Sequence, residues 1–95
     1  MKTKVALTNP RQHPPDSWVL DILRRCDAAL ETRDCAGRED IIALCADADA
    51  VLVASASIDA QAILSFQRCR AIVRMGTGYD NIDVEAAGED RKSVV

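Results

Sequence analysis

AVLVAS, residues 50–55, is an uninterrupted apolar run bounded by Asp49 before it and by the polar-flanked SID segment shortly after it. A strand with no polar alternation is usually covered on both faces, as in a parallel sheet lying between helices. Its flanks carry the other periodicity. Downstream, IDAQAILSFQ (58–67) sets Ile58, Ala62, Ile63 and Phe66 inward at helical spacing, and AIVRM (71–75) is again a strand. Upstream, GREDIIALCADA (37–48) reads as an amphipathic helix with Glu39 and Asp40 suited to its N-terminal dipole. AALETR (28–33) is a weak strand. DSWVLDILRRCDAAL (16–30) is a one-faced helix through Trp18, Val19, Ile22, Leu23 and Cys26, with Asp16 or Ser17 as its cap. KVALTN (4–9) opens the series as a strand, and the proline-rich NPRQHPPD after it is a loop. The order β-α-β-α-β-α-β predicts an open α/β fold of about four parallel strands with right-handed crossovers.

The chain has 95 residues and a net charge of −3, which bounds it to one small domain. An acidic balance without a Lys/Arg cluster argues against a nucleic-acid partner or an anionic membrane surface. No apolar stretch approaches the roughly 18 residues of a membrane span, and the N-terminus has too short an apolar run for a secretory leader, so a cytoplasmic location is expected. The four cysteines, Cys26, Cys35, Cys45 and Cys69, form no CxxC pair, and the chain has one histidine. They read as reduced thiols, at least half of them buried, and no metal site is expected.

In open α/β sheets ligands sit outside the carboxyl ends of the strands. Two loops take that position, SASID after the third strand and GTGYDN after the fourth. Gly76 and Gly78 free the main chain for conformations closed to other residues and leave the amides of Thr77 and Gly78 bare. Such amides form an anion nest fitted to a carboxylate or phosphate. A tight turn with no ligand accounts for the same two glycines, and spacing alone leaves both readings open. A dinucleotide fingerprint is excluded because GxGxxG needs a glycine where Asn81 stands, and no Gly-Lys-Ser/Thr follows to make a phosphate-binding loop.

The run from Ala48 to Glu89, and IVRMGTGYDNIDVEAA (72–87) above all, resembles the N-terminal substrate-binding domain of the D-isomer-specific 2-hydroxyacid dehydrogenases. The resemblance implies a flavodoxin-like open parallel sheet flanked by helices, incomplete and truncated before the Rossmann domain. It also implies that the amides at Thr77 and Gly78, with Gly76, hold the carboxylate of a small 2-hydroxy or 2-oxo acid. Thr77 is expected to touch the edge of an NAD or NADP cofactor that a second domain of a homodimeric parent carries, so that this chain binds none stably by itself. Ser55 or Ser57 is available to hydrogen-bond the substrate, capping being the plainer role for both. Asp80, Asn81 and Asp83 are expected to bond their own backbone and cap the VEAA helix. Members acting on phosphorylated acids place Arg or Lys just after the third strand, where this chain has Ala54 and Ser55, which argues against phosphoglycerate.

The resemblance is expected to cover residues 1–89 as a partial substrate-binding domain, with 90–95 as a tail foreign to the family. Written as codons, DRKSVV and a stop become GAT CGG AAG AGC GTC GTG TAG, a widely used library-adapter sequence, which makes a sequencing artefact the expected origin of the tail. His13, in the QHPPD loop, comes too early to match the family's acid-base histidine. No catalytic residue is therefore assigned, and the chain alone is expected to be inactive and marginally stable. The alternative reading is a stand-alone, non-catalytic module that binds small anions or a partner.

Overall fold

The computed structural model describes residues 3–11, 14–75 and 81–95. Among these residues nine elements alternate: β1 (Thr3–Thr8), α1 (Ser17–Arg25), β2 (Ala28–Arg33), α2 (Arg38–Cys45), β3 (Ala50–Val53), α3 (Ala60–Ser65), β4 (Ala71–Arg74), α4 (Val84–Glu89) and β5 (Ser93–Val94). The strands form one parallel sheet in the order β2-β1-β3-β4-β5. Chain direction along the sheet reverses between β1 and β3. That is the topological switch point of a doubly wound fold, and it creates a crevice at the carboxyl edge.

The helices divide unequally between the two faces. α2, α3 and α4 pack side by side on one face. Beneath them Val51, Val53, Ile72, Ile41, Ile58, Ile63 and Phe66 are almost completely buried. Among the described residues α1 is the one helix against the other face, where it meets β2. The expectation that β3 is covered on both faces is therefore only half met. Val51 and Val53 are sealed, while Ala50 and Leu52 are half-buried in an apolar groove of about 620 Å³ shared with α1.

The apolar stripe of α1 points into that groove as its spacing predicts, yet none of its residues is buried, and Trp18 remains 63% exposed. One helix is too narrow to cover β1, β3 and β4 together. Asp16 stands at the N-cap position, but its side chain makes no capping bond. Cys26 falls just past the helix and is exposed, whereas Cys45 and Cys69 are buried, and all four cysteines are free thiols.

The expected four strands become five, because the tail supplies β5. Ser93 and Val94 pair with Ala71 and Ile72. The Ser93 amide donates to the Arg70 carbonyl (2.9 Å) and the Val95 amide to that of Ile72 (2.9 Å), while the Arg74 amide donates to Val95 (2.8 Å). These are main-chain bonds, which any extended segment can make. The side chains help: Val94 packs against the core, and Lys92 is buried beside its partner Asp90. On β1, next to the opposite edge strand, Lys4 ties three elements together, its Nζ bonding the Leu44 carbonyl (3.1 Å), Glu31 (2.9 Å) and Asp47 (2.5 Å).

Candidate functional site at the carboxyl edge of the sheet

β1 ends in Thr8, which is completely buried; its hydroxyl accepts from the Ala54 amide (3.3 Å) and donates to the Leu52 carbonyl (3.4 Å). The chain leaving β3 is thereby clamped to β1 at the switch point. Asn9 follows in the left-handed region (φ 53°), a conformation asparagine tolerates better than most residues. Its Nδ2 donates to the Cys35 carbonyl (3.1 Å), while its Oδ1 is buried without a hydrogen-bond partner among the described residues. Such an orphaned acceptor costs about 1–3 kcal/mol until something donates to it.

Asn9, the segment before α2, and Ser55 to Ser57 line a cavity of about 430 Å³. Across it, Arg38 donates from Nε (2.9 Å) and Nη2 (2.7 Å) to Oδ2 of Asp59, whose Oδ1 caps α3 through the Ala62 amide (2.9 Å). The guanidinium, seconded by the Ala62 amide, holds the Asp59 carboxyl below its ordinary range. A group whose folded pKa is lowered adds stability above its unfolded pKa of about 3.9 and loses that contribution as pH falls through the folded value. Asp59→Asn should therefore lower Tm at pH 6, with the gap from wild type closing below about pH 4. A gap that does not change with pH would assign the effect to packing.

A second, shallower cavity of about 380 Å³ lies between Ser57–Asp59 and Asn81–Asp83. Asn81 joins these two loops. Its Nδ2 donates to the carbonyls of Ala54 (3.1 Å) and Ala56 (2.7 Å), and its own carbonyl accepts from the Ile58 amide (2.7 Å). The Asp83 amide closes the set on the Ile58 carbonyl (2.9 Å), giving a short parallel bridge between Ile58 and Ile82. The expectation that Asn81 bonds its own local backbone is corrected: its side chain reaches across to the loop after β3. Asp83 does cap α4, accepting from the Ala86 amide (3.0 Å).

Ser55 stands exposed on the rim of the larger cavity, where the sequence places it, and α3 is capped by Asp59 and not by either serine. Gly76, Thr77, Gly78 and Asp80, like His13, lie outside the described residues. Sequence reasoning missed Asn9, Arg38 and Asp59. An asparagine directly before a proline at a strand end was the available signal for the first; the Arg38–Asp59 pair, 21 residues apart, had none. The thiols near the core are poor nucleophiles. Burial pushes Cys45 up to about 12 and raises Cys35 and Cys69. Among the described residues no cluster of His, Cys, Asp and Glu could hold a metal ion, and no helix is long and apolar enough to cross a membrane.

A parallel α/β domain with two cross-linked loops at its switch-point edge belongs to the class that presents small ligands to a cleft at the carboxyl ends of its strands. Residues 6–95 match the family model of the D-isomer specific 2-hydroxyacid dehydrogenase catalytic domain, and the chain belongs to that family. It is 39% identical over 51 residues to the D-3-phosphoglycerate dehydrogenases of Mycobacterium tuberculosis and Mycobacterium bovis, a match covering 53% of this chain and 10% of theirs. The NAD+-bound 3-phosphoglycerate dehydrogenase of Entamoeba histolytica superposes with a TM-score of 0.84 at 29% identity, over 99% of this chain and 32% of that one. The D-lactate dehydrogenase of Escherichia coli shares the fold at a TM-score of 0.75 and 16% identity, over 98% of this chain and 30% of its own. The chain thus spans about a third of these structures and a tenth of the curated relatives it matches.

Proposed function

We propose that the chain is the substrate-binding part of an NAD- or NADP-dependent oxidoreductase that interconverts D-2-hydroxy and 2-oxo acids. Family membership over residues 6–95 carries this reading. The geometry supports it, since Asn81 ties the Ser55 loop to the segment that directly follows the glycine pair. In this reading the amides around Gly76, Thr77 and Gly78 receive the substrate carboxylate, and Ser55 donates a hydrogen bond beside them. Hydride transfer is assigned in this reading to a longer parent whose second domain holds the cofactor against Thr77, since Asn81 stands where a GxGxxG fingerprint would need its third glycine. This chain's share is to bind and orient the acid, which lowers the barrier by fixing C2 in a reactive pose.

NMR titration of the 95-residue chain with a simple 2-hydroxy acid such as D-lactate should move the amide signals of Ser55 and of residues 76–78 together. The same sample mixed with NADH and a panel of 2-oxo acids should consume no cofactor, because turnover needs an oriented nicotinamide and a positioned proton donor. If no acid moves those signals, the substrate-binding role is wrong; NADH consumption would refute the division of labour.

A further inference from the structure

A further cavity, of about 510 Å³, opens at the amino edge of the sheet and is lined by Thr3, Asp49, Gln67, Arg68 and Arg70. Thr3 begins β1, Asp49 directly precedes β3 and Arg70 directly precedes β4, so the cavity lies at the opposite end of the strands from Ser55. Its volume falls within the range of about 300–1,000 Å³ usual for small-molecule clefts. Both oxygens of its carboxylate are engaged: Oδ2 of Asp49 accepts from the Lys4 amide (2.8 Å), and Oδ1 pairs with Nη2 of Arg68 (3.2 Å). Arg68 keeps its other N–H groups to offer. Arg70 is exposed, and among the described residues its guanidinium has no ion-pair or hydrogen-bond partner. Gln67 and Thr3 add a neutral amide and a hydroxyl. The carboxylate-binding role uses none of these groups.

The lining selects its guest by charge and by shape. Two guanidinium groups against one carboxylate leave an excess of positive charge. A cation would meet that excess and an Asp49 already occupied. An uncharged guest would gain only neutral hydrogen bonds, each won in competition with water. A carboxylate presents two oxygens, enough for one arginine fork. A phosphate group presents three and carries about −1.5 to −2 at pH 7 as a monoester, so it can engage both arginines at once. A polyanionic chain is disfavoured by the protein's own net charge of −3. We propose that this cavity is a phosphate-binding site, taking inorganic phosphate or the phosphate group of a small monoester. Its place at the amino edge keeps this ligand apart from the acid at the Ser55 loop, and the proposal stands independently of the 2-hydroxy-acid reading.

The test is NMR titration of the 95-residue chain with inorganic phosphate, methyl phosphate and acetate at constant ionic strength, read at the arginine Nε–H signals and the backbone amides. Both phosphates should move Arg68, Arg70 and the Gln67 amide with a Kd of about 1 mM, the affinity that two charge-assisted hydrogen bonds supply. Acetate should bind at least about fivefold more weakly, having one fork's worth of acceptors. Arg25, in the last turn of α1, is likewise exposed and its guanidinium has no partner among the described residues, so it serves as the internal control and should stay still. Arg70→Gln should raise the Kd about tenfold or more, and Arg70→Lys, which keeps the charge but loses the planar fork, should fall between Arg70→Gln and wild type. Because Arg70 is exposed and unpaired, both variants should keep the fold, which the same spectra report. No response to either phosphate, equal movement of Arg25, acetate binding as tight as phosphate, or wild-type affinity in Arg70→Lys or Arg70→Gln would overturn the inference. Tighter binding of methyl phosphate than of inorganic phosphate would uphold the site and assign it to a phosphorylated metabolite; the reverse order would uphold it as a site for free phosphate.

Discussion

Phe66→Ala should cost about 3–5 kcal/mol, the range for removing a buried aromatic ring from a packed core. Phe66 is 1% exposed and belongs to the cluster beneath α2, α3 and α4 that also holds Ile41, Ile58, Ile63 and Ile72. It sits at the C-cap of α3, where its amide donates to the Ile63 carbonyl (3.1 Å). Small domains hold a total stability of roughly 5–15 kcal/mol, and this one carries an apolar groove on its other face, which places it toward the lower end. Urea unfolding followed by far-UV circular dichroism should show the midpoint of the variant falling to near zero denaturant. A loss under about 1 kcal/mol would mean that the site collapses around the void and that this core is loosely packed.

Asn81→Ala should be the next most damaging change, at about 1–3 kcal/mol, because it strands two carbonyls, one of them on the fully buried Ala54. Asn81→Asp sharpens the prediction. Aspartate has nearly the same shape but at neutral pH offers only acceptors, so it would point a charged oxygen at the Ala54 and Ala56 carbonyls and destabilise more than alanine does. Hydrogen exchange provides the local readout. In both variants the amides of Ile58 and Asp83, which bond across the two loops, should lose protection well before those of Val51 or Ile72. Equal stability of the two variants, with Ile58 still protected, would show that the loops are held by the packing of Ile58 and Ile82 and not by the amide.

The sequence revealed element types more readily than their surroundings. The helix and strand order followed from period alone, and the inward set Ile58, Ala62, Ile63 and Phe66 is the buried set, although Ile58 and Phe66 flank α3 and do not lie within it. What period cannot report is how many helices share a face. For that reason β3 was expected to be sealed on both sides, while the fold leaves a groove between it and the one-faced helix α1. β5 was illegible for a different reason. Ser93 and Val94 join the sheet through main-chain bonds to β4, and two residues carry no periodic signal. At the site, Ser55 was legible from its place after an apolar strand. The pairings of Asn81 with Ala54 and Ala56, and of Arg38 with Asp59, are long-range contacts set by the tertiary fold.

The uneven cover of the sheet places adjacent codons under opposite selection. Val51 and Val53 face a packed interior, where losing even one methylene is felt, whereas Ala50 and Leu52 alternate with them along the same strand and face the groove. Drift in this domain should therefore run along β3 with a period of two, freezing every second position while the positions between them accept polar or smaller side chains. The same alternation gives a route to a more soluble variant in which the face under α2, α3 and α4 is left untouched.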